Sequence, residues 1–220
     1  MMEVVIICDG EFPRREYPRH IISRADFIIC CDGALKPYLR ACTKIFGRLR
    51  EPDLVIGDID SLSSSLKKTY ASRILRVAEQ DDNDMTKAFR WAMDNLKDVE
   101  AIHFLGAGGK REDHTVGNLG QLMEYTRLYD LEERGVRIDM VSDYTTAFPV
   151  SDSVEFWPGK GRQVSIFSPD NSLTITSEGL EYQVGTVVFD NWWKASLNKS
   201  TDDRVFLKFS HRSMALIILT

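Results

Sequence analysis

Where the aspartates and glycines fall constrains this chain more than any other feature. They recur just past short apolar runs through its first two-thirds. Val4-Val5-Ile6-Ile7-Cys8 leads into Asp9-Gly10, and Phe27-Ile28-Ile29-Cys30-Cys31 into Asp32-Gly33. Leu54-Val55-Ile56-Gly57 leads into Asp58-Ile59-Asp60-Ser61, Ala101 to Gly106 into Gly108-Gly109-Lys110-Arg111-Glu112-Asp113-His114, and Ile138 to Ser142 into Asp143. Runs this short and this continuously apolar suit strands buried on both faces of a parallel sheet. In such a sheet ligands bind in the crevice at the carboxyl ends of the strands. A rim of carboxylates and glycine turns there suits a metal-bound polyphosphate. Carboxylates hold hard cations through oxygen, and glycines let backbone N–H groups approach phosphate.

Between these runs two helices are expected. Met85, Ala88, Phe89, Ala92, Met93 and Leu96 follow helical spacing, with Asn83 or Asp84 as the N-cap. A second helix is expected from about Asp113 toward Glu133, with Gly135 as its stop and Val116, Leu119 and Met123 on its apolar face. After Pro149 the pattern changes to alternating runs at 164–167, 173–176, 205–209 and 214–219, separated by turn residues. The expected fold is an α/β N-terminal domain with a mainly parallel sheet at 1–148. An antiparallel β-sandwich domain is expected at 149–220.

Composition narrows the function classes. A net charge of −5 without a basic patch makes nucleic-acid binding unexpected. No apolar run approaches a membrane span, and no basic segment followed by a long apolar stretch opens the chain, so neither a membrane partner nor a signal peptide is expected. Cys8, Cys30, Cys31 and Cys42 include no CxxC pair, so they read as reduced thiols of a cytoplasmic protein.

Four groups of residues carry possible chemistry. Asp58 and Asp60 are two apart, which in extended chain puts both carboxylates on one side, where they could hold Mg²⁺. The same residues also suit a solvated loop with Ser61 as a helix cap. The run Glu79-Gln80-Asp81-Asp82-Asn83-Asp84 is more acidic than a cap needs, which favours a metal or substrate role for Asp84. Gly106 to His114 joins a strand to a helix, where glycines and a helix N-terminus suit phosphate, with Lys110 and Arg111 adding charge. It lacks the Walker A spacing, and Asp113-His114 also suits a cap followed by a surface histidine. Trp192 and Trp193 read either as core or dimer packing or as a wall for a flat cationic heterocycle.

Together these motifs resemble the thiamine pyrophosphokinase family. The matching pieces are Cys31-Asp32-Gly33, Gly57-Asp58-Ile59-Asp60-Ser61, Asn83-Asp84 with Lys87-Ala88, Gly106 to His114 with Asn118, Gly179-Leu180-Glu181-Tyr182 and Ser196-Leu197-Asn198. They span nearly the whole chain in the family's order. The resemblance implies a Mg²⁺-dependent homodimer that moves pyrophosphate from ATP to the thiamine hydroxyl, leaving AMP. It implies metal or catalytic roles for Asp58, Asp60 and Asp84. ATP-side roles follow for Asp32, Gly33, Ser61, Gly108, Gly109, Arg111, Asp113 and Asn118, and thiamine-side roles for Tyr182, Ser196 and Asn198. The departures from the family pattern are Ala34-Leu35-Lys36 for Gly-Ala-Asn, Asn83 for Thr, Lys110 for Gly and Leu197 for Ser. Two other readings share the carboxylate rim: a metal-dependent phosphoesterase, and a non-catalytic module that binds thiamine or a nucleotide.

Overall fold

Apolar runs that no water can reach must pair their backbone groups with neighbouring strands, and those of the first half do so in parallel. The computed structural model describes residues 1–220, which divide into two units. The first holds Met1–Gln121 with Glu132–Asp143. Its elements are β1 (Met2–Ile7), α1 (Glu16–Arg24), β2 (Phe27–Cys31), α2 (Leu35–Phe46), β3 (Leu54–Gly57), α3 (Ser64–Thr69), β4 (Ile74–Arg76), α4 (Asp84–Asn95), β5 (Val99–Leu105), α5 (Glu112–Leu128) and β6 (Arg137–Val141). The last turns of α5 belong to the second unit.

The strand order is β6-β5-β1-β2-β3-β4, with every pair parallel. The chain winds outward from β1 to β4 and then returns to the other side of β1. That reversal opens a crevice between the carboxyl ends of β1 and β5, where an α/β sheet takes its ligands. Val4, Ile6, Ile28, Ile29, Val55 and Ile102 are fully buried in this sheet.

The expected helices form, with two differences. α4 buries Met85, Ala88, Phe89, Ala92 and Met93, and Asn83 is its N-cap, accepting from the Thr86 N–H at 3.0 Å. α5 ends at Leu128, short of Glu133, and turns carry the chain to Gly135. Its buried face is Asn118, Leu122, Tyr125 and Thr126, while Val116 is exposed. The apolar residues of α5 are too few to set the face. Asn118 and Thr126 are buried because their side chains bond the carbonyls of Ala107 and Leu122.

The second unit holds Leu122–Leu131 with Tyr144–Thr220. Its strands are β7 (Thr146–Val150), β8 (Val154–Phe156), β9 (Gln163–Phe167), β10 (Ile175–Glu178), β11 (Ala195–Lys199), β12 (Val205–Phe209) and β13 (Ala215–Leu219). β11-β9-β13-β7 pair antiparallel, as do β10-β12-β8. Val164, Ile166 and Ile217 from the first set and Ile175, Val205 and Leu207 from the second share one core. This is the antiparallel sandwich expected from the alternating runs.

Candidate active site

The site grows from the strand ends of the first unit. After β1 the chain turns through Cys8-Asp9-Gly10, and after β5 through Gly106-Ala107-Gly108. The turns are laced together by Cys8 N–H to Leu105 O at 2.8 Å, Gly10 N–H to Gly106 O at 2.6 Å and Glu11 N–H to Gly108 O at 2.7 Å. A Cβ on Gly10 would stand 2.2 Å from the Gly106 carbonyl, so the two turns close only because that side chain is missing.

Between them lies a cleft of about 480 Å³. Asp9, Asp58, Asp82, Asp84, Lys87, Gly108, Lys110, Arg111, His114 and Asn118 all line it. The cleft brings together residues from five separate stretches of sequence, at strand ends and at the starts of α4 and α5.

At its floor the carboxylates of Asp32, Asp58 and Asp84 gather, with their oxygens within 4.8 Å of one another. Unusual backbone puts them there. Asp32 opens a short 3₁₀ turn at φ 31, and Ile59 sits at φ 67. Both values are rare for residues with a side chain. Gly57, at φ 148, leaves room for the Asp84 carboxylate, which a Cβ there would meet at 2.8 Å.

The left-handed Ile59 corrects the expectation for Asp60. The stretch from Asp58 to Asp60 is not extended, so alternation does not align the two carboxylates. Asp60 is exposed, outside the three-carboxylate group, and its N–H donates to Asp58 Oδ1 at 3.1 Å. Asp32 takes the third position. The cap of α3 is Ser63 rather than Ser61.

The electrostatics of the group are strained in a telling way. Asp32 is 5 % exposed, and its Oδ1 is buried without any hydrogen-bond partner. Its Oδ2 accepts the Ser61 N–H at 3.0 Å. Burial raises the Asp32 pKa above the ordinary carboxylate value, and the hydrogen bonds from Ser61 offset only part of that. Burial likewise raises Asp84, against the pull of Lys87. The Lys87 side chain is 4 % exposed and meets Asp84 Oδ1 at 3.3 Å. A buried carboxylate oxygen with no donor is unfavourable, and the like charge of its neighbours adds to this. A hard divalent cation answers both, since its ligands are carboxylate oxygens. The donor set therefore fits Mg²⁺.

The walls supply positive charge. Lys110 Nζ reaches the Asp9 carbonyl at 2.8 Å and its carboxylate at 3.0 Å. Arg111 pairs with Asp113 on the surface, and this hydrogen bond lowers the Asp113 pKa and raises that of Arg111. Asn118 Nδ2 holds the Ala107 carbonyl at 2.7 Å, and Asn83 donates to Asn118 Oδ1 at 2.9 Å, so α4 and α5 share one brace beneath the glycine loop. Gly109, at φ 89, packs against Glu11 outside the cleft lining. Gly33 and Ser61 line a separate pocket. Asp9 and Lys87 also line the cleft, and sequence reasoning gave neither of them a role. Lys87 lies three residues after Asp84 on α4, the spacing that lets the two side chains meet, and its burial sets it apart.

In the second unit Tyr182, Trp192 and Trp193 are about half exposed or more, so the tryptophans are not core residues. Trp192 leans on Phe167, with ring centroids 5.2 Å apart. Asn198 is buried and clamps the Tyr182 backbone. Its Oδ1 accepts the Tyr182 N–H at 3.1 Å and its Nδ2 donates to the Tyr182 carbonyl at 2.7 Å. Ser196 is half-buried on β11. Leu197, at φ 61, marks an irregularity in that strand that turns its side chain to solvent.

Comparison with known proteins adds a finding that the geometry alone does not. The family model described as "Thiamin pyrophosphokinase, catalytic domain" matches residues 18–131, and "Thiamin pyrophosphokinase, substrate-binding domain" matches 146–215. Thiamine pyrophosphokinase 3 of Oryza sativa subsp. japonica is 25% identical over 198 residues, covering 82% of this chain and 72% of its own. The fold is similar to the thiamine pyrophosphokinase of Bacillus subtilis, with a TM-score of 0.78 at 17% identity over 99% of this chain and 98% of that one. It is equally similar to the thiamin pyrophosphokinase of Candida albicans, at 0.77 and 16%, covering 99% and 88%.

Proposed function

This chain belongs to the thiamin pyrophosphokinase family, and we propose that it transfers the pyrophosphoryl group of ATP to the thiamine hydroxyl, leaving thiamine diphosphate and AMP. The observation that carries this reading is the group of Asp32, Asp58 and Asp84 at the strand-end crevice, with its partnerless buried oxygen. The contacts within the fold leave that oxygen unserved, and the group suits a cation-bound polyphosphate.

In this proposal Asp32, Asp58 and Asp84 hold Mg²⁺, and Asp60 remains a solvent-side neighbour. The bound ion supplies neutralisation of the charge that grows on the phosphoryl oxygens. The rest is placement by the chain's own groups. Arg111, Lys110 and the N–H groups around Gly108 and Gly109 bind and orient the polyphosphate. Asn118 keeps the glycine loop in shape, and Asp113 steers Arg111. Gly33 gives the Asp9 carboxylate room, since a Cβ there would stand 2.3 Å from Asp9 Oδ2. Phosphoryl transfer asks chiefly that the attacking oxygen, phosphorus and leaving oxygen lie in line. Asp58 and Asp84 are the carboxylates of the group that line the cleft, and one of them accepts the hydroxyl proton.

Thiamine is assigned to the second unit. Tyr182 offers an exposed ring for the cationic thiazolium or the pyrimidine. Ser196 offers a hydroxyl, and Asn198 fixes the Tyr182 backbone. The first unit thus serves ATP and metal, and the second serves thiamine and assembly of a homodimer. Four free buried cysteines accord with a cytoplasmic, reducing setting.

Turnover of ATP to AMP, measured with and without thiamine, tests the reading. AMP and thiamine diphosphate should form together, and only when thiamine is present. AMP formed without thiamine would replace the reading with a phosphoesterase. Binding of thiamine without turnover would replace it with a non-catalytic module.

A further inference from the structure

The first unit holds a second pocket, of about 420 Å³, that shares no lining residue with the cleft. Its floor is Leu39, Leu62 and Leu66, and its rim carries Lys36 and Arg40. The two cations lie four apart on α2, so their side chains stack on one face of the helix. Neither has a carboxylate partner, and no acidic residue lines the pocket. Lys36 also lies in the first turn of α2, where the helix dipole disfavours a cation and favours an anion. The two cations stand free, side by side, over an apolar floor. Ser63 adds a hydroxyl at the pocket wall.

These groups select a ligand class. Two unpaired cations with a hydroxyl suit a doubly charged tetrahedral anion better than a single carboxylate. Three leucines beneath them have nothing to gain from a bare inorganic ion and suit a flat or apolar body. The volume lies in the range of about 300–1,000 Å³ that small-molecule pockets occupy. Ser61 stands between the two sites, since it lines this pocket while its N–H donates to Asp32.

We propose that the pocket formed by Lys36, Arg40 and the leucines of α2 and the β3–α3 loop binds a phosphate monoester with a ring body, of the nucleoside monophosphate class. It is a site separate from the cleft. Its occupancy is independent of whether the chain turns over ATP, so the two readings fail separately.

Equilibrium dialysis with labelled AMP, in chelator so that no divalent ion takes part, tests this on the full chain. The wild-type chain should show saturable binding. Lys36→Glu with Arg40→Glu should remove one class of site, weakening it by at least about tenfold, as expected for losing charge-assisted contacts. Arg111→Ala, in the cleft, should leave that class in place. Both substituted residues are exposed, so the melting temperature should hold. If the charge-reversed chain misfolds, Lys36→Gln with Arg40→Gln decides by the same criterion. An isotherm unchanged by either pair overturns the site. Inorganic phosphate should displace AMP from it only at much higher concentration. Equal displacement overturns the assignment of a ring body.

Discussion

The two units treat their buried polar groups in opposite ways. In the first, the carboxylates of Asp32, Asp58 and Asp84 converge, and one buried oxygen has no donor. In the second, comparable groups are fully served. Asn198 is bonded on both sides to Tyr182. Asp170 accepts from Ser172 N–H at 2.8 Å and Ser213 Oγ at 2.7 Å, and its Oδ2 lies 3.0 Å from His211 Nε2. The second unit is complete as a folded object and presents aromatic rings outward. The first leaves a buried carboxylate oxygen unserved. Reactivity and satisfaction are thus divided between the two, and substitutions should sort accordingly.

The sharpest break is Asp58→Asn. It should lower kcat by at least about 100-fold, since an ion that neutralises phosphoryl charge is worth several kcal/mol and Asp58 would help to hold it, while the unfolding midpoint holds or rises. Near wild-type turnover at saturating Mg²⁺ would remove Asp58 from the site. Asn198→Ala should do the reverse. Losing the clamp strands two backbone groups, at about 1–3 kcal/mol each where they stay buried. Denaturation should show this as a lower midpoint, and KM for thiamine should rise while KM for ATP stays put. A shift in ATP affinity alone would erase the division.

Arg111→Ala should cut kcat/KM for ATP by about tenfold, as expected when a charge-assisted hydrogen bond is lost. Stability should not change, because Arg111 and Asp113 are both exposed. Trp192→Ala should cost about 0.5–1.5 kcal/mol at most, the worth of one ring pair, read as a small change in melting temperature.

The mildest test separates the units by pH. Asp32 has a raised pKa, so the metal-free chain should lose stability as pH climbs from the ordinary value near 3.8 through the raised one. Asp170 is depressed by its hydroxyl, histidine and backbone donors, so its contribution is present above the ordinary value and lost as pH falls toward the lowered one. Asp32→Asn should flatten the first limb and Asp170→Asn the second. Melting curves from pH 3 to 8 in chelator would show whether the limbs respond separately, and a common response would sink the contrast.

Much of this was legible in sequence where hydrophobicity alone decides. Phe27 to Cys31 and Leu54 to Gly57 announce buried parallel strands because nothing polar interrupts them. The Met85 to Met93 face of α4 is clear for the same reason. The short strands were not legible. Ile74-Leu75-Arg76 is three residues at a sheet edge, and Ala195 to Lys199 is mostly polar, so neither carries a period long enough to read. The site was half legible. Residue types at strand ends point to the crevice where the carboxylates gather. The choice of Asp32 over Asp60 depends on φ at Asp32 and Ile59, and side-chain composition does not encode a left-handed isoleucine.

The partnerless oxygen of Asp32 has a consequence for anyone who would engineer this chain. In the proposed reaction, the features of Asp32 that would serve turnover are those that oppose folding. Replacing it by asparagine puts an N–H among acidic neighbours and relieves repulsion. A selection for heat resistance alone, run without divalent metal, should therefore enrich Asp32→Asn early and return a robust, inert protein. Adding Mg²⁺ to the selection medium would reverse the ranking, because the ion stabilises only chains that can still bind it.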